Sequence, residues 1–465
     1  MSNIEEEVCA ALEVWDKEPS VVQIEKDERT TTTTSRELSE QIEEIAKRLY
    51  GWGIREKYLV PIFLRNSTDF IKIFLSLLRI KAIPVMVKME YRTMELAEVF
   101  CNAQPEAIIA EKEHLRFLKP YLQNTLVIAR AENRLSLEQS ADHLQSRKDI
   151  PDDIASINYT DRGYGYPLGV MISHAQYLHG ARVLQDTLKG AAGEKMLVIL
   201  PMAHIFTIIG CILAPLLYGI TSVVVDTMHP RRLFQYIRDF QIEHITSVPE
   251  IYELLYRLRD PTLDLPSLKV FVSGGSLLTP DNYANITEAF SVDLLHGYGL
   301  TEFTPVSGNI RHEARPGTVG PLCDQVECRI DALTPDGVGE IMIRTPHETG
   351  VYYRRVHESN EAHRDGWFRT GDLGFIDQGH LVFKKELKNT RKINGNLVDL
   401  EEVCRAIRLD NDVAEARVEW DNNSLVADLA VNKGIDFDEK TKWLKSSLRG
   451  ILAEYKVPRR FNKLS

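Results

Sequence analysis

The chain has 465 residues, 44% of them hydrophobic and 26% charged, and a formal net charge of −11. That balance excludes a wholly disordered chain, and the acidic excess argues against nonspecific binding to nucleic acid or to an anionic membrane, either of which needs a basic face. The longest apolar run, Ile208 to Ile220, is broken by Gly210, Pro215 and Gly219 and is too short to cross a bilayer, and the acidic start MSNIEEEV has no signal-peptide core, so a cytoplasmic location without a transmembrane segment is expected.

In chain order, the five threonines Thr30 to Thr34 read as a short strand leading into a helix. Thr34 and Glu37 form a capping-box pair ahead of Leu38, Ile42, Ile45 and Leu49, whose spacing is helical, and Gly51 and Gly53 suit the exit. YLVPIFL follows as a strand. After Asn66 and Ser67, the stripe Phe70, Ile71, Phe74, Leu77 and Leu78 predicts a second helix leading to the strand-like PVMV, which completes a β-α-β unit. Short apolar runs recur at PEAIIA, KMLVILP, TSVVVD, HITSVP, KVFVSGG and VDLLHGYG, with helical stretches such as LFQYIRDF between several of them. The alternation predicts an α/β fold of parallel sheets with helices packed on their faces. Beyond Asp372 the stretch GFIDQGHLVFKKELKNTRKINGN is dense in lysine and turn residues, and a short mixed pattern follows it. The expected organisation is a large multi-layer domain over 1–385 and a small mobile α+β domain over 388–465, with a hinge near Lys388.

Residues 159–170, YTDRGYGYPLGV, look like a phosphate-cradling loop, because Gly163, Gly165 and Gly169 let backbone N–H groups turn toward an anion. Asp161 repels phosphate there, and Leu168 stands where a lysine would meet it. The six cysteines are scattered without paired spacing and read as reduced thiols; Cys323 and Cys328, the closest pair, have no histidine cluster nearby to complete a metal site.

Five segments, in order, resemble the adenylate-forming superfamily, which includes acyl-CoA synthetases, luciferases and the adenylation domains of peptide synthetases. They are VSGGSLLTP at 272–280, HGYGLTEFTP at 296–305, RPGTVG at 315–320, WFRTGDLG at 367–374 and INGNLVDLEEV at 393–403. The resemblance covers nearly the whole chain and implies a two-step reaction. A carboxylate attacks the α-phosphate of ATP, giving an acyl-AMP and pyrophosphate, and a thiol of CoA or of an acyl carrier protein then displaces AMP. Charge building on the phosphate oxygens is met by Mg²⁺, backbone N–H groups and cations. On the matching positions, Thr301 would contact the α-phosphate and Glu302 would help hold Mg²⁺. Tyr298 would stack on adenine, and Asp372 would accept hydrogen bonds from the ribose hydroxyls. Gly274 and Gly275 would admit the backbone close to the acyl group and nucleotide, and Thr160, Gly297, Gly299 and Arg369 complete the nucleotide-binding set. Taken singly, Tyr298 and Thr301 are also ordinary turn residues, Glu302 a helix-start acid and Asp372 a loop cap.

In LPMAHIF, His204 stands where amino-acid-activating relatives carry an aspartate for the substrate's ammonium group, so an α-amino group would be poorly served. The local pattern is similar to fatty or aryl acid ligases, whose histidine lies near the carboxylate; an ordinary buried histidine is the alternative. The run Ile208, Ile209, Ile212 and Leu213 reads as core helix rather than acyl tunnel. Three departures from the family bear on adenylation. Its phosphate loop runs Y-T-S-G-T-T-G-x-P-K-G-V, which this chain matches at Tyr159, Thr160, Gly165, Pro167, Gly169 and Val170 but not at 161–164 or 168. Lys385 and Glu386 replace a Gly-Arg pair, and Lys463 comes too early after VPRRF to match the lysine that reaches the active site in relatives. Lys388, Lys392 and Gly395 remain on the segment that the resemblance links to thiol transfer. Two functions fit these residues: an AMP-forming ligase for a fatty or related acid, impaired in its ATP-dependent half, or a catalytically degenerate protein that binds AMP or acyl groups in a regulatory role.

Overall fold

The Thr34–Glu37 pair forms its capping box in both directions, with Glu37 N–H donating to Thr34 Oγ1 at 3.3 Å and Thr34 N–H donating to Glu37 Oε2 at 2.8 Å. Helix Ser35–Gly51 follows and buries Leu38, Ile42 and Leu49. The structure is a computed structural model; it describes residues 3–464 except 133, 227, 228, 261, 263, 333, 336, 348–350, 388, 389, 394, 395, 422 and 423. The expected hinge residue Lys388 and loop glycine Gly395 therefore lie outside the described residues, as does the side chain of Lys392.

The β-α-β unit reads through from sequence to structure. Strand Leu59–Phe63, helix Thr68–Arg79 and strand Ile83–Met86 pair in parallel register, Leu59 with Ile83 and Ile62 with Met86. These strands sit inside a seven-stranded sheet in which Ile154–Asp161 lies parallel to Ile83–Met86 and its antiparallel partner Pro167–Ser173 forms the far edge. The runs KMLVILP, TSVVVD, HITSVP, KVFVSGG and VDLLHGYG supply five parallel strands of an eight-stranded sheet. Its outermost strand is Thr30–Thr34, antiparallel to Pro19–Ile24, with Thr30, Thr31 and Thr32 exposed. Apolar residues from both sheets meet in one core that also takes in Ile208, Ile209, Ile212 and Leu213, so this run is core helix as its composition suggested.

A five-stranded antiparallel sheet follows, from Glu327–Ala332 to His380–Glu386. The chain ends in a smaller α+β unit: the hairpin Thr390–Ile393 and Asn396–Asp399, helix Leu400–Arg408, a three-stranded sheet and helix Phe437–Ile451, packed around Val403, Ile407, Leu429 and Leu448. The α/β class with a smaller carboxy-terminal α+β domain is thus present. Among the described residues no helix is long and apolar enough to cross a membrane, and no cluster of His, Cys, Asp and Glu could hold a metal ion.

The glycine-rich stretch differs from the open loop its sequence suggests. It is a hairpin in which Tyr159 pairs with Gly169 and Thr160 with Leu168, leaving only the turn between Asp161 and Pro167 free of the ladder. Leu168 faces the core and is fully buried. A side chain on the hairpin's inner face cannot also reach an anion beyond the turn.

Candidate active site

One mostly apolar cavity brings together segments far apart in sequence. Its wall includes Thr160 from the hairpin, His204, Gly274 and Gly275 after strand Val270–Ser273, the strip Gly297–Glu302, and Asn396 and Leu397 from the small domain. Gly275 has φ +82°, a backbone conformation that a side chain would strain, and a Cβ at Gly297 would lie 3.0 Å from the Ser307 carbonyl oxygen. His204 caps a short helix, its Nδ1 accepting from the Phe206 N–H at 3.3 Å. Neutral imidazole in that arrangement carries its proton on Nε2.

Other expected residues are tied up among themselves. Tyr298 is buried, stacks on Phe383 with ring centroids 5.9 Å apart, and donates its hydroxyl to Asp372 Oδ2 at 2.6 Å. Burial, with the Asp372 charge beside it, pushes the Tyr298 phenol well above its usual range, so it stays a donor. Arg369 does not reach the cavity wall: its guanidinium pairs with Glu340 at 3.0 Å.

Asp161 and Arg162 point opposite ways from the turn. Arg162 runs inward, donating from Nη1 to the Thr370 carbonyl at 2.7 Å and from Nη2 to the Arg369 carbonyl at 2.9 Å, with its guanidinium 5.2 Å from the Phe368 ring centroid. Its Nε lies 3.4 Å from Glu302 Oε1, which also accepts from the Tyr352 hydroxyl at 2.7 Å. Asp161 runs outward into a fully buried ionic cluster. There Lys456 Nζ lies 2.5 Å from Glu402 Oε2 and 3.5 Å from both Asp161 Oδ1 and Glu95 Oε1. The expectation that Asp161 sets a free negative charge against phosphate is corrected by this pairing: the ammonium of Lys456 answers it. Burial alone would lower the Lys456 pKa, but Asp161, Glu402 and Glu95 hold it well above the usual lysine range.

The cluster joins the two domains, since Asp161 and Glu95 belong to the large one and Lys456 and Glu402 to the small one. Asp399 reinforces it. One carboxylate oxygen caps helix Leu400–Arg408 and the other accepts from the Gly165 N–H at 2.5 Å, while Arg405 donates to the Gly165 carbonyl. Gly165 has φ +81°, a conformation that favours glycine, and a Cβ there would lie 3.1 Å from Arg405 Cδ, close enough that the arginine side chain would have to shift.

A family described as "AMP-binding enzyme" matches residues 11–353, which is most of the chain. The chain belongs to the AMP-binding enzyme family. Among its relatives, the peroxisomal OPC-8:0-CoA ligase 1 of Arabidopsis thaliana is 25% identical over 414 residues, 83% of this chain and 76% of that protein. Triostin synthetase I of Streptomyces triostinicus is 27% identical over 452 residues, 92% of this chain and 85% of that protein. Among solved structures, the amide bond synthetase McbA of Marinactinospora thermotolerans superposes with a TM-score of 0.85 at 22% identity, over 100% of this chain and 96% of that one. The chain therefore has the fold of the AMP-forming acid–thiol ligases, and that fold implies use of ATP or AMP.

For the Mg²⁺ that the family implies, Glu302 offers one carboxylate oxygen: a guanidinium and a phenol occupy Oε1, and Oε2 is left on a side chain that lines the cavity. Sequence reasoning singled out neither Tyr352, Glu95 nor Glu402; the first two fall in no motif, and Glu402, although inside INGNLVDLEEV, was given no role there. The one sign of the cluster was an isolated acid in a glycine turn.

Proposed function

We propose that this chain acts as an AMP-forming acid–thiol ligase that takes a fatty or related carboxylic acid through an acyl-adenylate to the thiol of CoA or an acyl carrier protein, and that its thiol-transfer half is stronger than its ATP-dependent half. The observation that carries this reading is that Asn396 and Leu397 of the small domain line the same cavity as Gly274, Gly275, Thr301 and Glu302. A thiol entering beside that segment would meet the acyl group where the nucleotide strip ends. In this reading Tyr298 packs on adenine and Asp372 serves the ribose. Thr301, with the backbone of Gly297 and Gly299, contacts the adenylate phosphate, and the Nε2–H of His204 steadies the acyl oxygen. The mostly apolar wall, with His204 where amino-acid-activating relatives carry an aspartate, favours a fatty or related acid over an amino acid. Lys392, and a hinge at Lys388 between 1–385 and 388–465, belong to the reading by resemblance.

Three features weigh against ATP activation. Leu168 is a buried core residue in place of a phosphate-facing lysine. Glu302 is already answered by Arg162 and Tyr352, and the Gly165 N–H serves Asp399. A second reading, a regulatory protein that binds AMP or acyl groups, is favoured by the Tyr298–Asp372 bond, which uses one of the oxygens the ribose would need.

Both half-reactions, followed by chromatography, decide between the readings. Supplied acyl-AMP and CoA should give thioester much faster than acid and ATP give acyl-AMP. Robust adenylation by the wild type would remove the asymmetry, and inertness in both halves with several acyl-AMPs would leave the regulatory reading.

A further inference from the structure

Lys88 is a charged residue in the cavity wall for which no motif accounts. It follows strand Ile83–Met86, whose register pairs Val85 with Ile157 and Met86 with Asn158. Carried forward two residues, that register brings Lys88 level with Thr160 at the root of the glycine hairpin, and both line the cavity together with Arg162, Asn396 and Leu397. The lysine is only 8% exposed, yet among the described residues no hydrogen bond or ion pair answers its ammonium; Nζ lies 5.6 Å from the centroid of the Tyr91 ring. Asp161, Glu90 and Glu402 act on Lys88 electrostatically without an ion pair to it; Asp161 and Glu402 are paired with Lys456, and Glu90 lines the same cavity. A largely buried lysine whose unpaired ammonium opens on the cavity is a site that an anionic ligand would complete. Burial accordingly pushes the Lys88 pKa down, with Asp161 opposing the shift.

We propose that Lys88 receives a phosphate group of the ligand in this cavity, supplying from the neighbouring strand the cation that Leu168 cannot supply from the hairpin. The inference rests on the nucleotide- and thiol-binding reading above. Phosphate can come from either of its ligands, the adenylate or CoA. Lys88 then explains how a chain with an all-apolar residue at 168 still offers a positive charge beside Thr160, and why that charge sits next to the Asn396–Leu397 segment.

Calorimetry on wild type, Lys88→Gln and Lys88→Arg separates the phosphate from everything else, using AMP against adenosine and CoA against pantetheine. Lys88→Gln should weaken AMP, or CoA, by about tenfold or more, the scale of one charge-assisted hydrogen bond. Adenosine and pantetheine should bind as before, and Lys88→Arg should recover most of the loss. The pair that responds names the source of the phosphate. In the wild type, reductive methylation of Lys88, read by mass spectrometry, should be slowed by the same phosphate-bearing ligand and not by its phosphate-free counterpart, a measurement that needs no variant to fold. If both affinity ratios are unchanged in Lys88→Gln, or no ligand protects Lys88, the assignment is overturned while the site-level reading stands. A wild type that binds none of the four ligands ends both.

Discussion

Replacing Lys456 by methionine removes what is, among the described residues, the only cation in ion-pair contact with Asp161, Glu95 and Glu402 together. At 3.5 Å from Asp161 and Glu95 the ammonium gains about 5 kcal/mol from each in an effective dielectric near 20. Much of that offsets the desolvation of the charges, and the measured cost of deleting one partner of a buried pair is about 3–5 kcal/mol. The variant can escape this cost without unfolding. Undocking the small domain returns Asp161 and Glu95 to water on one side and Glu402 on the other. The docked population should therefore fall by a factor on the order of 10²–10³, from the same 3–5 kcal/mol. Small-angle scattering reads the change as a larger radius of gyration, and limited proteolysis reads it as faster cutting between residues 386 and 396. Adding Glu402→Gln to Lys456→Met should restore part of the docking, because one uncompensated charge is gone. Identical scattering and identical protection in wild type and Lys456→Met would show that the cluster does not hold the domains together.

Gly165→Ala should weaken docking by about 1–3 kcal/mol, the cost of a non-glycine residue held at positive φ, seen as a lower melting temperature and faster proteolysis; an unchanged melt would contradict the close approach to Arg405. Docking should also depend on pH. Burial, with Asp161 and Glu95 adding to it and Lys456 opposing, raises the Glu402 pKa above its ordinary 4.5. The docked state then binds more protons than the undocked one between that value and the raised one, so docking is strongest at the acid end of this window and weakens as pH rises through it; scattering at several pH values checks the sign. AMP should bind by calorimetry at least about tenfold more tightly than ATP, because the hairpin turn that would cradle the outer phosphates is gripped by Asp399 and Arg405. Equal or tighter binding of ATP would refute this.

Local sequence signals carried the fold a long way. The Thr34–Glu37 box and the stripe from Phe70 to Leu78 depend on neighbours within one or two turns, and both appear as read. The strands KMLVILP through VDLLHGYG were legible because buried parallel strands are short apolar runs. The cavity wall was legible where glycine and aromatic spacing carries it, at Gly274, Gly275 and the Gly297–Glu302 strip. What the sequence hid is decided by tertiary contact. Asp161 looked like a flaw in a phosphate loop until Lys456, 295 positions away, came into place beside it. Arg162 had no visible direction, and Leu168 looked like a lost lysine rather than a core residue, because hairpin pairing fixes which way each points. Lys88 carried no pattern at all; only the strand register brings it beside Thr160.

The threonine strand at the rim of the eight-stranded sheet has a consequence of its own. A final strand leaves one row of backbone donors and acceptors unpaired, and a second chain could extend the sheet there. Threonine keeps the β-branched stiffness that holds a strand extended, yet its hydroxyl makes the exposed face of Thr30, Thr31 and Thr32 wet. An adhesive strip of valines would have the same backbone preference and a dry face that invites stacking. The homopolymeric look of these five residues therefore amounts to a shape-for-shape exchange of methyl for hydroxyl that lets a large sheet stop at its own boundary.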